Sequence, residues 1–186
     1  GTIDARDFYM MRDEMTELQS INLKEVEIAS CNEGNANEIP ANAFDGKRTL
    51  IRFVFPDNIS KIGSCAFRGS NLSGSLIIPN GVIEIGAAAF AAKSLNLSSS
   101  LSGTLTLPRT LKCIKEMAFM GCSGLIGNLS LPDNLIEIGD AAFSNCNGFT
   151  GNLILPENLS QLGGGAFYSC SGFSGSLSIP SKISKI

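Results

Sequence analysis

LIGNLSLPDNLIEIGDAAFSNC (residues 125–146) and FTGNLILPENLSQLGGGAFYSC (residues 149–170) are successive copies of one motif, 24 residues apart. The shared pattern is L-x-G-x-L-x-L-P-x-x-L-x-x-I-G-x-x-A-F-x-x-C, and FSGSLSIPSKISKI (173–186) begins another copy. A fixed period of this size is typical of a solenoid, in which each repeat forms one coil and buries its core only by stacking on its neighbours.

The same period extends over most of the chain. Six prolines are each 23, 24 or 29 residues apart: Pro56, Pro79, Pro108, Pro132, Pro156 and Pro180. A phenylalanine follows each of the first five prolines by 11 residues: Phe67, Phe90, Phe119, Phe143 and Phe167. Phe44 marks an earlier, more divergent unit. The long step indicates an insertion within residues 93–102, which we interpret as a surface loop, with a binding loop as the alternative.

Within one unit, the L-x-L-P segment alternates apolar and polar residues, as a half-buried strand does. Leu129 and Leu131 are predicted to point inward and Asn128 and Ser130 outward, and Pro132 ends the strand because it lacks a backbone N–H. Equivalent strands are predicted to pair in parallel into one sheet of six strands. The A-F pair is predicted to form a short helical or 3-10 turn that buries the phenylalanine.

The first residues differ from the repeats. Phe8, Met11, Met15 and Leu18 have helical spacing, and Thr2 or Asp4 is a suitable N-cap. We therefore predict that residues 1–22 form a helical cap over the first coil, as solenoids require for solubility. Residues 23–186 are predicted to form the solenoid, with LKEVEI (23–28) as its first strand and an incomplete last coil.

The motif I-G-x-x-A-F-x-x-C, preceded by L-x-L-P, resembles the BspA-like leucine-rich repeats, also called the Treponema pallidum type. The resemblance covers about residues 23–186, and the N-terminal segment resembles the cap of such proteins from Bacteroides-type gut bacteria. It implies an α/β-type repeat solenoid: a right-handed leucine-rich-repeat coil stack with a parallel sheet on one face. It also implies a location at the cell surface or outside the cell, often with a lipid anchor. Some members are implicated in adhesion to host matrix proteins such as fibronectin and fibrinogen.

Composition argues against several functional classes. The chain has no histidine, which is the commonest general base and metal ligand, and no tryptophan. The formal net charge of -3 gives no general attraction to nucleic acid. No run of 18 apolar residues is present. We therefore predict a protein without catalytic residues, cofactor, metal, nucleic-acid partner or membrane span in this chain.

Three of the six cysteines share one repeat position: Cys122, Cys146 and Cys170. Residues that succeed one another along an axis do not converge on a metal ion. Adjacent thiols could come within disulfide range, although three cannot all pair. The favoured interpretation is a ladder of buried free thiols. Cys31, Cys65 and Cys113 fit no motif.

The outward strand positions are the candidate protein-binding face. The residues are Thr104, Thr106, Asn128, Ser130, Asn152, Ile154, Ser176 and Ser178. They form either a recognition face or plain solvated filler.

Two functions remain open at this stage. One is a secreted or surface-anchored binding module for an extracellular protein. The other is a structural spacer that forms a homodimer through the open coil near Ile186, where the chain could equally continue or fray.

Overall fold

The computed structural model describes residues 1–93 and 98–183 and confirms the repeat solenoid. It contains a single α-helix and fifteen short strands in the described ranges. In chain order they are β1 (Thr2–Ile3), α1 (Ala5–Asp13), β2 (Ser20–Asn22), β3 (Glu27–Ile28), β4 (Glu38–Ile39), β5 (Arg52–Val54), β6 (Lys61–Ile62), β7 (Gly74–Ile77), β8 (Glu84–Ile85), β9 (Leu101–Thr106), β10 (Cys113–Ile114), β11 (Gly127–Asn128), β12 (Glu137–Ile138), β13 (Phe149–Ile154), β14 (Gln161–Leu162) and β15 (Phe173–Ser178).

The coils are numbered by their phenylalanines. Coils one to six carry Phe44, Phe67, Phe90, Phe119, Phe143 and Phe167, and coil seven begins with β15. The insertion lies between coils three and four, and its residues 94–97 are outside the described residues.

A continuous sheet runs along one side of the solenoid. Its six two-residue strands are parallel and have the order β14-β12-β10-β8-β6-β4. Each strand sends one isoleucine or leucine into the core, while the preceding residue faces outward. We call this the short-strand sheet. It is formed by the isoleucine or leucine of the motif's I-G and the residue before it, a segment for which no strand was predicted.

The L-x-L-P strands do not form the single sheet predicted for them. They pair in three separate groups: β2 with β5, β7 with β9, and β11 with β13 and β15. The prediction of one sheet was wrong: pairing is interrupted between β5 and β7, and only an isolated bridge from Gly103 to Leu125 connects β9 with the coil of β11. The motif's first glycine adds an irregularity within the groups, since it is left-handed, with φ of 84° at Gly127 and 77° at Gly151. The pairing register shifts immediately after Gly151, between it and Leu153. Such a bulge leaves a residue unpaired and disrupts the ladder locally.

The A-F segments form turns and not 3-10 helices. Successive amides in each turn donate alternately to a carbonyl of the same coil and to a carbonyl of the next coil. The Ser144 amide donates to the Ala141 carbonyl within coil five at 3.0 Å. The neighbouring Phe143 amide instead donates across to the Ala166 carbonyl of coil six at 2.8 Å, and the Ala141 amide donates to Gly164 at 3.0 Å. Every second amide of the turn therefore joins its coil to the next one.

This alternation requires a left-handed residue two places before each phenylalanine. Its occupants are Asn42, Cys65, Ala88, Met117, Ala141 and Gly165, with φ between 52° and 62°. An L-residue with a Cβ is strained in this conformation by roughly 1–2 kcal/mol. Glycine relieves that strain, although its greater freedom in the unfolded chain offsets about 0.4–1 kcal/mol.

We expect Ala141→Gly to raise the free energy of unfolding by about 0.5–1 kcal/mol, because Ala141 has a φ of 52°. Urea unfolding of the variant would measure the change. Ala142→Gly is the matched control: Ala142 is buried and outside the left-handed region, so its loss should destabilise the protein. A destabilised Ala141→Gly variant would contradict the strain argument.

The phenylalanines form a continuous stack through the core. Successive ring centroids from Phe67 to Phe167 lie 5.4, 5.5, 5.1 and 5.4 Å apart, with interplanar angles below 10°. The rings of the first five coils are almost completely buried. The ring spacing also gives the distance between coils, which is about that of paired strands.

The N-terminal helix is confirmed in part. Asp4 is the N-cap of α1, and the Asp4 amide donates in return to the Asp7 carboxylate, which completes a capping box. Phe8 is fully buried and packs edge-on against Phe44 at 5.8 Å. Because α1 ends at Asp13, Met15 lies beyond the helix and is exposed.

Polar contacts also attach the cap to coil one. The Tyr9 hydroxyl donates to the Ala41 carbonyl at 3.3 Å, and the Arg12 guanidinium donates to the Asn42 carbonyl at 2.7 Å. In the opposite direction, the buried Lys47 ammonium donates to the Arg12 carbonyl at 2.9 Å and to the Met15 carbonyl. Lys47 thus satisfies carbonyls at and just beyond the C-terminus of α1.

The first coil also differs from the strand predicted at residues 23–28. Its L-x-L-P equivalent is β2, which pairs with β5, while β3 pairs with β1. Residues 20–22 therefore contribute to the first coil, although the predicted boundary placed them in the cap.

Candidate functional site

All eight residues predicted for the binding face are solvent-exposed on the L-x-L-P side of the solenoid. Thr104 and Thr106 lie in β9, Asn128 lies in β11, and Ser130 follows it. The others lie in later coils: Asn152 and Ile154 in β13, and Ser176 and Ser178 in β15. The motif therefore orients them as its alternation predicts, since their neighbours Leu105, Leu129 and Leu153 are buried.

Some of these side chains also hold the coils together. The Asn152 side-chain oxygen accepts the Ser176 amide at 2.8 Å, and the Ser75 hydroxyl accepts the Thr104 amide at 3.1 Å. Both amides lie beside a register shift, where a side chain can replace the missing ladder partner. Substituting Asn152 would therefore disturb structure as well as surface. Sequence reasoning missed this role.

The outward residues that lie two places before each proline border three concavities of about 520, 470 and 460 Å³. Leu107 lines the first two, and Ser130 and Leu131 line the last two, so the concavities are contiguous. We call this surface the proline-edge groove. Its lining includes Ile77, Thr106, Ser130, Ile154, Pro79, Pro108, Pro132 and Pro156.

The proline-edge groove is apolar at its ends and weakly charged. Ile77 is 65% exposed and Ile154 is 59% exposed, one toward each end. Asp57, Arg109 and Asp133 are the charged residues that line it. The groove therefore combines exposed isoleucines with bordering hydroxyl groups and carries little charge.

A second concavity of about 870 Å³ lies on the short-strand sheet. Ion pairs between coils border it: Lys61 lies 3.0 Å from Glu84, and Lys115 lies 2.7 Å from Glu137. The hydrogen bond from Lys115 to Glu137 raises the pKa of the lysine, and Glu84 does the same for Lys61. These pairs are partly exposed, so they contribute little to stability. The lysine partners of Glu84 and Glu137 were not predicted from the sequence.

The cysteine ladder consists of free thiols that donate to backbone carbonyls. Cys122 donates to Phe90 at 3.3 Å, Cys146 to Phe119 at 3.1 Å, and Cys170 to Phe143 at 2.9 Å. All six cysteines of the chain are free. Burial raises the pKa of Cys122 to about 12 and also raises the pKa of Cys146. A protonated, buried thiol is a poor nucleophile, so this ladder is structural.

We expect stability to fall as the pH rises above about 9, because the unfolded chain releases thiol protons near pH 8.5 while folded Cys122 and Cys146 retain theirs. Each thiol should contribute up to about 1.4 kcal/mol per pH unit in that range. Urea unfolding between pH 8 and 10.5 would measure the slope. The double variant Cys122→Ser, Cys146→Ser keeps both donors and should show a smaller slope; equal slopes would contradict the assignment.

Neither a metal-binding cluster nor a membrane-spanning helix is present in the part of the chain that the structure describes. In that part, no three His, Cys, Asp or Glu side chains are grouped so that they could hold a metal ion. The helix α1 has only nine residues, and no helix in the same ranges has the length and hydropathy to cross a membrane.

A family model described as the BspA type leucine rich repeat region matches residues 37–125 and 96–186, with six copies. The chain belongs to this family. The BspA-type assignment agrees with the fold and accounts for the repeated strand, glycine and phenylalanine positions.

Solved structures similar to this BspA-type chain include a leucine rich repeat protein of T. pallidum, with 21% identity over 83% of this chain and 69% of that one and a TM-score of 0.47. A leucine rich cell surface protein of Faecalibacterium prausnitzii has 16% identity over 96% of this chain and 64% of that one, with a TM-score of 0.38. A leucine-rich repeat protein of Bacteroides ovatus has 23% identity over 89% of this chain and 56% of that one, with a TM-score of 0.37. The chain thus spans less than two thirds of the length of the last two. No curated protein sequence matches it.

Proposed function

We propose that the chain is a non-catalytic binding module of a secreted or cell-surface protein, and that it holds an extracellular protein on its proline-edge groove. The observation that carries the proposal is the contiguous groove along the outward strand row, bordered by Thr106, Ser130, Asn152 and Ile154. Membership in the BspA-type family supports a protein-interaction role. The absence of histidine from the sequence also favours binding over catalysis.

Matrix proteins are the first partners to test, because family resemblance suggests them. Immobilised fibronectin and fibrinogen would be titrated with the chain at physiological salt, and its oligomeric state would be followed by light scattering. We expect saturable binding by a monomer. Failure to bind either protein would remove matrix adhesion from the proposal.

Matched isoleucine variants would locate the contact. Ile77→Ser with Ile154→Ser removes the apolar ends of the groove. Ile83→Ser with Ile136→Ser is the control, because these isoleucines are also exposed but flank strands of the short-strand sheet. A buried isoleucine contributes roughly 1.5–3 kcal/mol, so the groove variant should bind at least about tenfold more weakly. Equal loss in both variants would argue against this groove.

A self-associating segment is the second candidate. In coil seven, Leu177 and Ile179 occupy core positions of the motif but are 59% and 50% exposed, so this end presents apolar surface. Ile186, near which a homodimer contact was predicted, lies outside the described residues. Concentration-dependent dimerisation that Leu177→Asp abolishes, without binding to matrix protein, would favour this candidate.

A further inference from the structure

The sequence contains two Asn-Gly pairs, Asn80-Gly81 and Asn147-Gly148, and both asparagines are exposed. Asparagine is a thermally labile residue, because the backbone nitrogen of the next residue can attack its side-chain amide carbon. A following glycine favours this attack, since it has no Cβ atom and its backbone is the most flexible. The sequence does not distinguish the two pairs, whereas their surroundings in the solenoid are very different.

Asn80 and Gly81 are the central residues of an open turn in coil three, after strand β7. The Val82 amide donates to the Pro79 carbonyl at 3.3 Å and closes the turn, and Gly81 adopts a positive φ of 108°. Both central residues are exposed, and a Cβ atom at Gly81 would lie 3.2 Å from its nearest neighbour, the Ile59 carbonyl oxygen. The pair therefore has space in which to change its backbone conformation.

A hydrogen bond to a side chain holds the Gly81 nitrogen. Its N–H donates to the Thr110 hydroxyl of coil four at 3.2 Å, and this hydroxyl donates in turn to the Val82 carbonyl at 2.9 Å. The first of these bonds is at the long end of the usual range. Because attack by the Gly81 nitrogen requires loss of its proton, the bond to Thr110 must break first. It slows the reaction without preventing it.

The backbone of Asn147-Gly148 is packed against the preceding and the following repeat. Gly148 precedes the fully buried Phe149. A Cβ atom at Gly148 would collide with the Leu125 carbonyl oxygen, one repeat earlier. A Cβ atom at Gly172, one repeat later, would collide with the Asn147 carbonyl oxygen. Rotation of this pair toward the geometry of attack therefore requires the coils to separate.

We propose that Asn80 is a site of spontaneous deamidation and that the fold protects Asn147. The Gly81 nitrogen gives its proton to a base and forms a bond to the side-chain carbonyl carbon of Asn80, and the side-chain nitrogen leaves as ammonia. The resulting cyclic imide takes up one water molecule. It opens either to aspartate or to isoaspartate, in which the main chain runs through the side-chain carbon. Water is the only co-reactant, so the reaction needs neither an enzyme nor an oxidant.

The modification changes the charge at one end of the proline-edge groove. Asn80 lines the first of its concavities together with Asp57 and Ile77. Both products replace one neutral amide with one carboxylate, so the formal net charge of the chain changes from -3 to -4. This end of the groove then carries two carboxylates beside an exposed isoleucine. The modification needs no binding partner and is therefore independent of the proposed function.

Incubation of the intact chain at mildly alkaline pH, followed by peptide mapping with mass spectrometry, tests the proposal. In the folded protein, Asn80 should deamidate at least about tenfold faster than Asn147, because the second pair reacts only through local opening. The control is the same chain unfolded in urea, in which both Asn-Gly pairs lose their surroundings and should react within about threefold of each other. Equal rates in the folded protein would overturn the proposal, as would a folded chain that reacts at neither asparagine while the unfolded chain reacts at both.

Two variants test the contact that restrains Gly81. Thr110→Val removes the hydroxyl that accepts the Gly81 amide and should accelerate deamidation of Asn80 at least about twofold. Thr106→Val is the matched control: Thr106 is an exposed threonine of the same coil, and the bond from Gly81 to Thr110 remains in place. Asn80 should react at the wild-type rate in this control. An unchanged rate in Thr110→Val would contradict the assigned restraint.

Discussion

Replacing Phe143 with alanine is expected to lower the free energy of unfolding by about 3–5 kcal/mol. Phe143 is fully buried in the middle of the ring stack, 5.1 Å from Phe119 and 5.4 Å from Phe167. Its removal leaves a cavity between two coils, and a solenoid is stabilised mainly by contacts between neighbouring repeats. Chemical denaturation followed by circular dichroism would measure the loss.

Tyr168→Ala is the control for this prediction. Tyr168 follows the next phenylalanine of the stack, but its side chain is 69% exposed, so the change should be within about 0.5 kcal/mol. Because domain stability is typically about 5–15 kcal/mol, Phe143→Ala could unfold part of the array. Similar losses for the two variants would mean that the ring stack is not the principal source of stability between coils.

Replacing Lys47 with methionine is expected to lower the free energy of unfolding by about 1.5–3 kcal/mol. The ammonium of Lys47 is buried and donates to the carbonyls of Arg12 and Met15 at the end of the cap. Methionine retains most of the apolar volume but leaves both carbonyls without that donor. Far-ultraviolet circular dichroism and protease sensitivity near residue 15 would report whether the cap detaches.

Arg48→Met tests whether the effect of Lys47→Met comes from the lost hydrogen bonds or from the lost positive charge. Arg48 is the adjacent residue and its side chain is exposed, so removing its charge should change stability by less than about 0.5 kcal/mol. If Arg48→Met were as damaging as Lys47→Met, the cap would depend on general electrostatics and not on the two hydrogen bonds.

The sequence was sufficient for the features that depend on the repeat period. The spacing of Phe67, Phe90 and Phe119 predicted a stacked core, and the shared position of Cys122 and Cys146 predicted a thiol ladder. Each of these features needs only that equivalent residues occupy equivalent places in successive coils.

The short strands and the register shifts could not be predicted from the repeat period. A two-residue strand such as β12 is too short to show an alternating pattern, so the short-strand sheet was not foreseen. The register shift in the longer strands accompanies the left-handed conformation of glycines such as Gly151, which many glycines do not adopt.

The candidate site shows the same limit. Its exposed row followed from alternation, but the backbone pairing beside the prolines did not. In the described residues the Leu155 amide donates to the Ser178 carbonyl and the Leu131 amide donates to no backbone carbonyl, although NLSLP in coil five and NLILP in coil six are nearly identical as sequence. The different pairing of Leu131 and Leu155 arises from how neighbouring coils meet. Similarly, the hydrogen bond that occupies Asn152 depends on a register shift in the strand pair.

The hydrogen bonds of the A-F turns give the solenoid a chemical polarity along its axis. In each turn, amides point toward the following coil and carbonyls toward the preceding one, as in the bond from Phe143 to Ala166. The helix α1 matches the first coil because Tyr9 brings a donor to a carbonyl edge. A copy of this helix grafted onto the opposite edge would place donors against amides. An engineer who extends or shortens this array must therefore keep the coils in one direction and design an acceptor-bearing closure for the other end.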